Sequence, residues 1–247
     1  MILRGKMRLD AYLADAGLAV SRTEARRLIE EGLVSVDGKE VKKPSFDISG
    51  REEFLSVKPR EKSFVGRGGV KLEGAFSSFS VSAAGKRCID VGASSGGFTD
   101  CLLQHGAEHV IAVDSGRGQL VESLRRDARV TSVEGFNARY MQPTDLEYVP
   151  ELAVMDVSFI SATYIIPALA RCLREGADFI LLIKPQFEVG REGVGKGGIV
   201  KKQSDRDAAV RRVVECAEGF GFKLKGLIES PIQGGDGNIE YLAHFVC

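Results

Sequence analysis

Apolar residues at Leu9, Tyr12, Leu13 and Ala16 recur three and four positions apart, and Gly17 ends the pattern. That spacing predicts a short amphipathic helix with one face toward a core. A second helix starts at Ser21-Arg22-Thr23-Glu24, where a Ser cap and a Glu three positions on form a capping box. It runs through Ala25, Leu28 and Ile29 to Gly32, with Arg22 and Arg26 on one face and Arg27 beside them. From Leu33 the period falls to two. Residues 33–41 alternate on both sides of Asp37-Gly38, the pattern of a tight β-hairpin. Phe54-Leu55-Ser56-Val57 is a further extended apolar patch, and Lys58-Pro59-Arg60-Glu61-Lys62 then reads as a linker.

Beyond the linker, short apolar runs alternate with helical spacing. Strands are expected over 88–90, 109–114, 130–133, 152–160, 177–188, 223–230 and 240–246. Helices are expected through Leu72, Ala75, Phe76 and Phe79, through Leu102 and Leu103, through Ile165, Ile166, Leu169 and Leu173, and over 205–219. The alternation predicts an α/β class with an open sheet. The chain therefore divides into a small α+β domain over 1–57, a linker over 58–63 and a large α/β domain over 64–247.

The large domain is organised around Cys88-Ile89-Asp90-Val91-Gly92-Ala93-Ser94-Ser95-Gly96-Gly97-Phe98-Thr99. An apolar strand ending in Asp90, a glycine-rich turn and a helix start form the ligand crevice of an open α/β sheet. The glycine spacing is not that of the dinucleotide fingerprint, so the ligand need not be a dinucleotide. Asp114 ends the next strand, where an acid can accept two hydrogen bonds from a ribose diol. Asn137 follows the third strand and could read an adenine edge. Asp156 lies in the fourth. Lys184 ends the fifth, and so apolar a strand would either depress its pKa by desolvation or pair it with Asp156.

Composition narrows the picture slightly. The 247 residues have zero formal net charge, 44% hydrophobic and 28% charged residues, ordinary for a soluble globular protein. Residues 1–62 hold 13 basic and 11 acidic side chains and the rest 21 and 23, a small asymmetry in the direction expected of a nucleic-acid-binding arm. The five cysteines are scattered and odd in number, as in a cytoplasmic protein with reduced thiols. His105 and His109 are four apart but have no supporting ligand set, so no metal is expected. No apolar run reaches the roughly 18–20 residues that span a bilayer. Gly190-Arg191-Glu192-Gly193-Val194-Gly195-Lys196-Gly197 has glycines like a P-loop but lacks the Ser or Thr after Lys196, which leaves a mobile glycine-rich loop.

Lys71, Asp156, Lys184 and Glu240 remain as charged groups expected at strand ends or loop exits. Such a set suits alkyl transfer to a hydroxyl, in which a lysine oriented by a carboxylate serves as base or stabilises the developing alkoxide.

Two resemblances sharpen this. Arg8-Leu9-Asp10, Ser21-Arg22, Ala25-Arg26, Leu28-Ile29, Gly32, Val34, Val36-Asp37-Gly38 and Lys43-Pro44-Ser45 resemble the S4-like RNA-binding domain. The resemblance implies that RNA phosphates meet Arg8, Arg22, Arg26, Arg27, Lys42 and Lys43, with Arg67 contributing from the larger domain. Arg67-Gly68-Gly69-Val70-Lys71-Leu72, Asp90 through Thr99, Asp156-Val157-Ser158-Phe159-Ile160-Ser161, Ile183-Lys184-Pro185-Gln186-Phe187-Glu188 and Gly237-Asn238-Ile239-Glu240-Tyr241 resemble an FtsJ-like methyltransferase. Joined, the two look like the TlyA (haemolysin A) family. That family implies a seven-stranded Rossmann-like domain, S-adenosylmethionine as cofactor, and 2′-O-methylation of ribosomal RNA or ribosomal subunits. It implies Lys71, Asp156, Lys184 and Glu240 as the catalytic set. Its cofactor set falls on Asp90, Gly92, Ala93, Ser94, Ser95, Gly96, Gly97, Phe98, Thr99, Asp114, Asn137 and Asp156. A cytolysin, suggested by the family's second name, would need a membrane-inserting segment that the pattern does not offer. A non-catalytic RNA-binding module would not need the Lys-Asp-Lys-Glu set.

Overall fold

The computed structural model describes residues 6–19, 21–58 and 64–247. The chain folds as two compact units, 1–63 and 64–247. Except for Lys58, the expected linker lies outside the described residues.

In the first unit, α1 (Leu9–Asp15) packs on α2 (Arg22–Glu30), and the Ser21 hydroxyl caps α2 by accepting from the Glu24 amide at 3.2 Å. The strands β1 (Val34–Val36) and β2 (Lys39–Glu40) form the hairpin. Asp37 at φ 52° and Gly38 at φ 72° supply the two left-handed residues that a two-residue hairpin turn requires. The apolar patch after it becomes β3 (Leu55–Val57), which pairs antiparallel with β1 and gives the sheet order β2-β1-β3. Leu9, Leu13, Ala25, Ile29, Val34 and Ile48, all fully buried, form the core between helices and sheet.

The second unit opens with α3 (Arg67–Ser78). Strand β4 (Arg87–Val91) leads to α4 (Gly97–Gln104), β5 (His109–Asp114) to α5 (Glu122–Arg125), and β6 (Val130–Glu134) follows. Then come β7 (Leu152–Met155), α6 (Ile166–Cys172), β8 (Asp178–Ile183), α7 (Pro185–Glu188), α8 (Gln203–Gly219), β9 (Lys223–Glu229) and β10 (Tyr241–Val246). The seven strands run β6-β5-β4-β7-β8-β10-β9, parallel except for β10, which is antiparallel to β8 and β9. One face packs Ile166, Leu169, Val213 and Phe222 against the sheet, and the other packs Leu72, Phe98, Leu102 and Leu124. Chain order reverses between β4 and β7, so the crevice beyond their C-terminal ends is the switch point where such sheets bind ligands.

Three expectations need correction. The fourth strand stops at Met155 and could not have run to Ile160, because Phe159 takes φ 65°, a left-handed backbone no strand accommodates. The fifth strand stops at Ile183: Pro185 opens a helical turn, since its ring presets φ and its missing N–H is not needed there. Lys71 is neither at a strand end nor at a loop exit. It lies inside α3, which begins four residues earlier than the lysine.

Candidate active site

Two adjoining clefts open at the switch point. The first, about 480 Å³, is lined by Val91, Gly92 and Ser94 after β4, by Asp114, Ser115 and Gln119 after β5, by Phe136 and Asn137 after β6, and by the 156–160 segment after β7. At Gly92, φ is 89° and a Cβ would lie 2.3 Å from the Asp156 carbonyl oxygen, so any side chain would close the cleft floor. Gly96, at φ 99°, turns the chain into α4 where an added Cβ would meet Leu124 at 2.3 Å. Among the described residues three non-glycines have positive φ: Asp37 in the hairpin, and Ser94 and Phe159, which both line this cleft. Backbone strain of that kind concentrates at functional sites.

Asp114 is held by its own neighbours. Its Oδ2 accepts from the Ser94 amide at 2.8 Å and its Oδ1 from the Gly116 amide at 2.7 Å. The Ser94 hydroxyl donates to Gln119 Oε1 at 3.1 Å. Asn137 lines the cleft while its side-chain oxygen caps the turn Ala138–Tyr140 by accepting from the Arg139 amide.

Gly92, Ser94, Asp114, Asn137 and Asp156 of the expected cofactor set line the cleft. Asp90 and Ala93, buried before that point, do not, nor do Ser95, Gly96, Gly97, Phe98 and Thr99, because after Ser94 the chain turns inward and α4 packs on the sheet. Asp90 is fully buried; its Oδ2 accepts from the Thr99 hydroxyl at 2.7 Å and its Oδ1 has no hydrogen-bond partner. Burial pushes its carboxyl up to about 7, with the Thr99 bond opposing and the Asp156 charge adding to the rise. Ser115, Gln119, Phe136 and Ile160 were not singled out from sequence. Ser115 and Phe136 directly adjoin Asp114 and Asn137, and adjacency to a strand-end polar residue is the signal that could have found them.

The second cleft, about 350 Å³, is lined by Lys71, Ser158, Phe159, Lys184, Gln186, Phe187, Val194, Gly198, Gly235, Asp236 and Glu240. Ser158 and Phe159 belong to both clefts. Lys184 Nζ donates to Ser158 Oγ at 2.7 Å and lies 2.6 Å from Asp156 Oδ1, an ion pair whose Oδ1 is not aligned as a hydrogen-bond acceptor. Lys71 Nζ donates to Glu240 Oε2 in a nearly inaccessible pair. The four residues thus form two Lys–carboxylate pairs. Phe159 is 92% exposed, the most exposed large apolar side chain described, and its ring lies 5.4 Å from that of Phe187. Gln186 Oε1 is buried without a partner.

Glu188 fixes this arrangement from behind. Its carboxylate, 4% exposed, accepts from the Ser161 hydroxyl at 2.5 Å and the Ala162 amide at 2.8 Å, tying the loop after β7 to α7. Burial raises its pKa and those two hydrogen bonds oppose the rise.

The expected RNA-contact residues are exposed. Arg8, Arg22 and Arg26 converge on Asp10, Arg27 pairs with Glu31 at 3.4 Å and Lys42 with Glu40 at 3.2 Å, and Lys43 faces solvent. Arg67 donates to the Gln233 carbonyl at 2.7 Å in the second unit. His109 meets Tyr148 at 3.1 Å rather than His105. His105 instead lies 2.6 Å from Glu73 Oε2, and with Cys101 these make a group of three potential ligand atoms within 4.8 Å of one another. Among the described residues no helix is long and apolar enough to cross a membrane.

Comparison with known proteins places this geometry. Residues 64–246 match the FtsJ-like methyltransferase model and residues 7–54 the S4 domain model. The chain is 44% identical over 236 residues to the 16S/23S rRNA (cytidine-2'-O)-methyltransferase TlyA of Mycobacterium tuberculosis, covering 96% of this chain and 88% of that protein. It is 43% identical over 245 residues to Hemolysin A of Brachyspira hyodysenteriae, covering 97% and 100%. A solved structure from Streptococcus thermophilus, described as a hemolysin, superposes with a TM-score of 0.73 at 46% identity, covering 98% of this chain and 88% of that one.

Proposed function

The chain belongs to the FtsJ-like methyltransferase family and carries an S4 domain, and from that premise we propose that it methylates a ribose 2′-hydroxyl of ribosomal RNA with S-adenosylmethionine. The observation that carries this reading is the 156–159 segment. Its Asp156 lines the first cleft and its Ser158 and Phe159 line both, so the Asp156–Lys184 pair lies between the two, which supports a donor in one cleft and an acceptor in the other.

The first cleft fits the cofactor. Its volume lies in the range of small-molecule sites, its floor at Gly92 admits no side chain, and carboxylates stand at Asp114 and Asp156. Gly92, Ser94, Asp114, Asn137 and Asp156 would hold it, with Asp90 buried behind them. When bound, the cofactor supplies an electrophilic methyl group on a sulfonium.

The chain's own residues provide the rest. Lys184 Nζ, held between Asp156 and Ser158, stabilises negative charge on an acceptor oxygen in the second cleft as that oxygen loses its proton, and the Asp156 carboxylate takes the proton up. Lys71 and Glu240 fix the opposite wall. Phe159 offers an exposed aromatic face, on which unpaired nucleobases stack. The half-exposed arginines of the first unit contribute sequence-independent affinity for phosphates. The M. tuberculosis relative is named for a cytidine, so a cytidine ribose is the first acceptor to test.

Incubation with methyl-labelled S-adenosylmethionine and purified ribosomal subunits, followed by nuclease mapping, tests the reading. Label on a ribose 2′-oxygen supports it. Absence of transfer to either subunit, or label confined to a base, overturns it.

A further inference from the structure

One carboxylate at the start of α1 gathers three arginines. Asp10 has no exposure to solvent although it sits on a surface helix of a small unit. Arg8 grips it as a fork, Nε to Oδ1 at 2.9 Å and Nη2 to Oδ2 at 3.0 Å. Arg22 donates Nε to Oδ2 at 3.2 Å and Nη2 to Oδ1 at 3.5 Å, and Arg26 donates Nε to Oδ2 at 3.1 Å. The guanidiniums hold the Asp10 carboxyl well below the usual range, the Arg8 fork most of all. A carboxylate offers about four lone-pair sites, so five N–H donors saturate it.

The arginines are not saturated in return. Their side chains remain 43%, 52% and 53% exposed. Three positive groups around one negative group leave an excess of two charges at contact distance, and that repulsion opposes the folded arrangement. The surplus is the form expected of a site completed by another anion. The neighbouring backbone adds to it: the Asp10 amide donates to the Pro44 carbonyl at 3.0 Å and the Leu9 amide to the Phe46 carbonyl at 2.8 Å. These bonds hold the turn that carries the exposed Lys43 beside the same helix start.

We propose that Asp10 is a positioning residue that presets Arg8, Arg22 and Arg26 as a clamp for RNA backbone phosphate. The proposal rests on the RNA reading above and adds to it a group that does not itself touch RNA. A guanidinium already ordered by Asp10 loses less freedom on meeting a phosphate than a free one, and its remaining N–H donors can pair with the phosphate's oxygens.

Charge and position predict opposite signs for one substitution. Asp10→Asn makes the surface one unit more positive, so if charge alone mattered the affinity for RNA would rise. If position matters, affinity falls about tenfold, as for the loss of one well-placed charge-assisted contact, and the salt slope becomes shallower. The probe is an unmodified ribosomal RNA transcript, bound by the full chain over a series of potassium chloride concentrations, with the thermal midpoint recorded for each variant. Asp10→Glu is expected to recover part of the affinity. Asp10→Asn binding as tightly as wild type or tighter overturns the proposal. Should Asp10→Asn unfold the first unit, Arg22→Lys with Arg26→Lys decides, because both side chains are half exposed and the charge is kept. About tenfold weaker binding is expected because lysine lacks the fork, and unchanged affinity overturns the clamp. The RNA reading fails separately if replacing Arg8, Arg22 and Arg26 together by Ala leaves binding unchanged.

Discussion

Lys71 on α3 and Glu240 at the entrance to β10 are 169 residues apart in sequence, yet they form an ion pair with 8% and 2% of their side chains exposed. Removing either partner strands a buried charge, which costs about 3–5 kcal/mol. Lys71→Met and Glu240→Gln alone are therefore expected to be destabilised, whereas Lys71→Met with Glu240→Leu regains most of that loss. Urea unfolding measures this part. Methyl transfer is expected to stay low in all three variants, and full activity in the double variant would limit the pair to a structural role.

Lys184 is in a different position. Its pair with Asp156 faces both clefts, so its removal is expected to affect chemistry more than stability. Lys184→Ala should lower the rate of methyl transfer on the order of 10²-fold or more while cofactor binding, followed by calorimetry, changes little. A variant with near wild-type turnover would place the proton elsewhere.

Asp90 gives the stability a pH signature. Its carboxyl is pushed up to about 7 in the fold, against roughly 3.9 in an unfolded chain. The unfolded state therefore releases its proton first. The stabilising contribution is fully present below the unfolded value, falls as pH rises, and is lost once pH passes about 7, a change of about 4 kcal/mol. The stability difference between wild type and Asp90→Asn should accordingly vary between about pH 4 and about pH 7 and level off above. A difference flat across that window would mean that Asp90 ionises normally.

Phe159 sets function against stability. Its backbone is left-handed and its ring is almost wholly exposed, so the fold gains little from the side chain. Phe159→Gly is expected to leave stability unchanged or raise it by up to about 1 kcal/mol, because glycine adopts this φ without a Cβ penalty. The Michaelis constant for ribosomal substrate is expected to rise. If activity were untouched, the exposed ring would have no part in holding the acceptor.

Glu188 serves the site from outside it. Glu188→Ala leaves Ser161 and the Ala162 amide without their acceptor and is expected to cost about 1–3 kcal/mol. Turnover should fall with it, because the segment bearing Asp156 and Phe159 loses its anchor on α7. Glu188→Gln, which can still accept one of these bonds, should recover part of both. Equal losses in the two variants would argue against the anchor.

What the sequence revealed depended on how local each cause was. The Asp37-Gly38 turn and the bounds of β5 were readable because turn chemistry and a strand's apolar run act over a few residues. The end of β7 was not: apolar Val157, Phe159 and Ile160 continue a strand-like pattern, and the left-handed backbone at Phe159 leaves no mark in it. Lys71, Asp156, Lys184 and Glu240 were marked by motif, and a pair between Lys184 and Asp156 was one of two alternatives the strand end offered, but the Lys71–Glu240 contact was not legible because it depends on β10 entering the sheet beside β8. Gln119 and Phe136 line the first cleft only because three strand ends converge there. Asp10 stood in the sequence only as the end of the Arg8-Leu9-Asp10 motif, since its partners at Arg22 and Arg26 lie on another element.

A single segment, 156–159, forms part of the wall of both clefts, and this has a thermodynamic consequence. Any rearrangement of that wall on filling one cleft alters the affinity of the other, and linkage requires the effect to be equal in both directions. If the acceptor strengthens the hold on the methyl donor by some factor, the donor strengthens the hold on the acceptor by the same factor. The demethylated cofactor and the modified RNA are linked by a factor of their own, again equal in both directions.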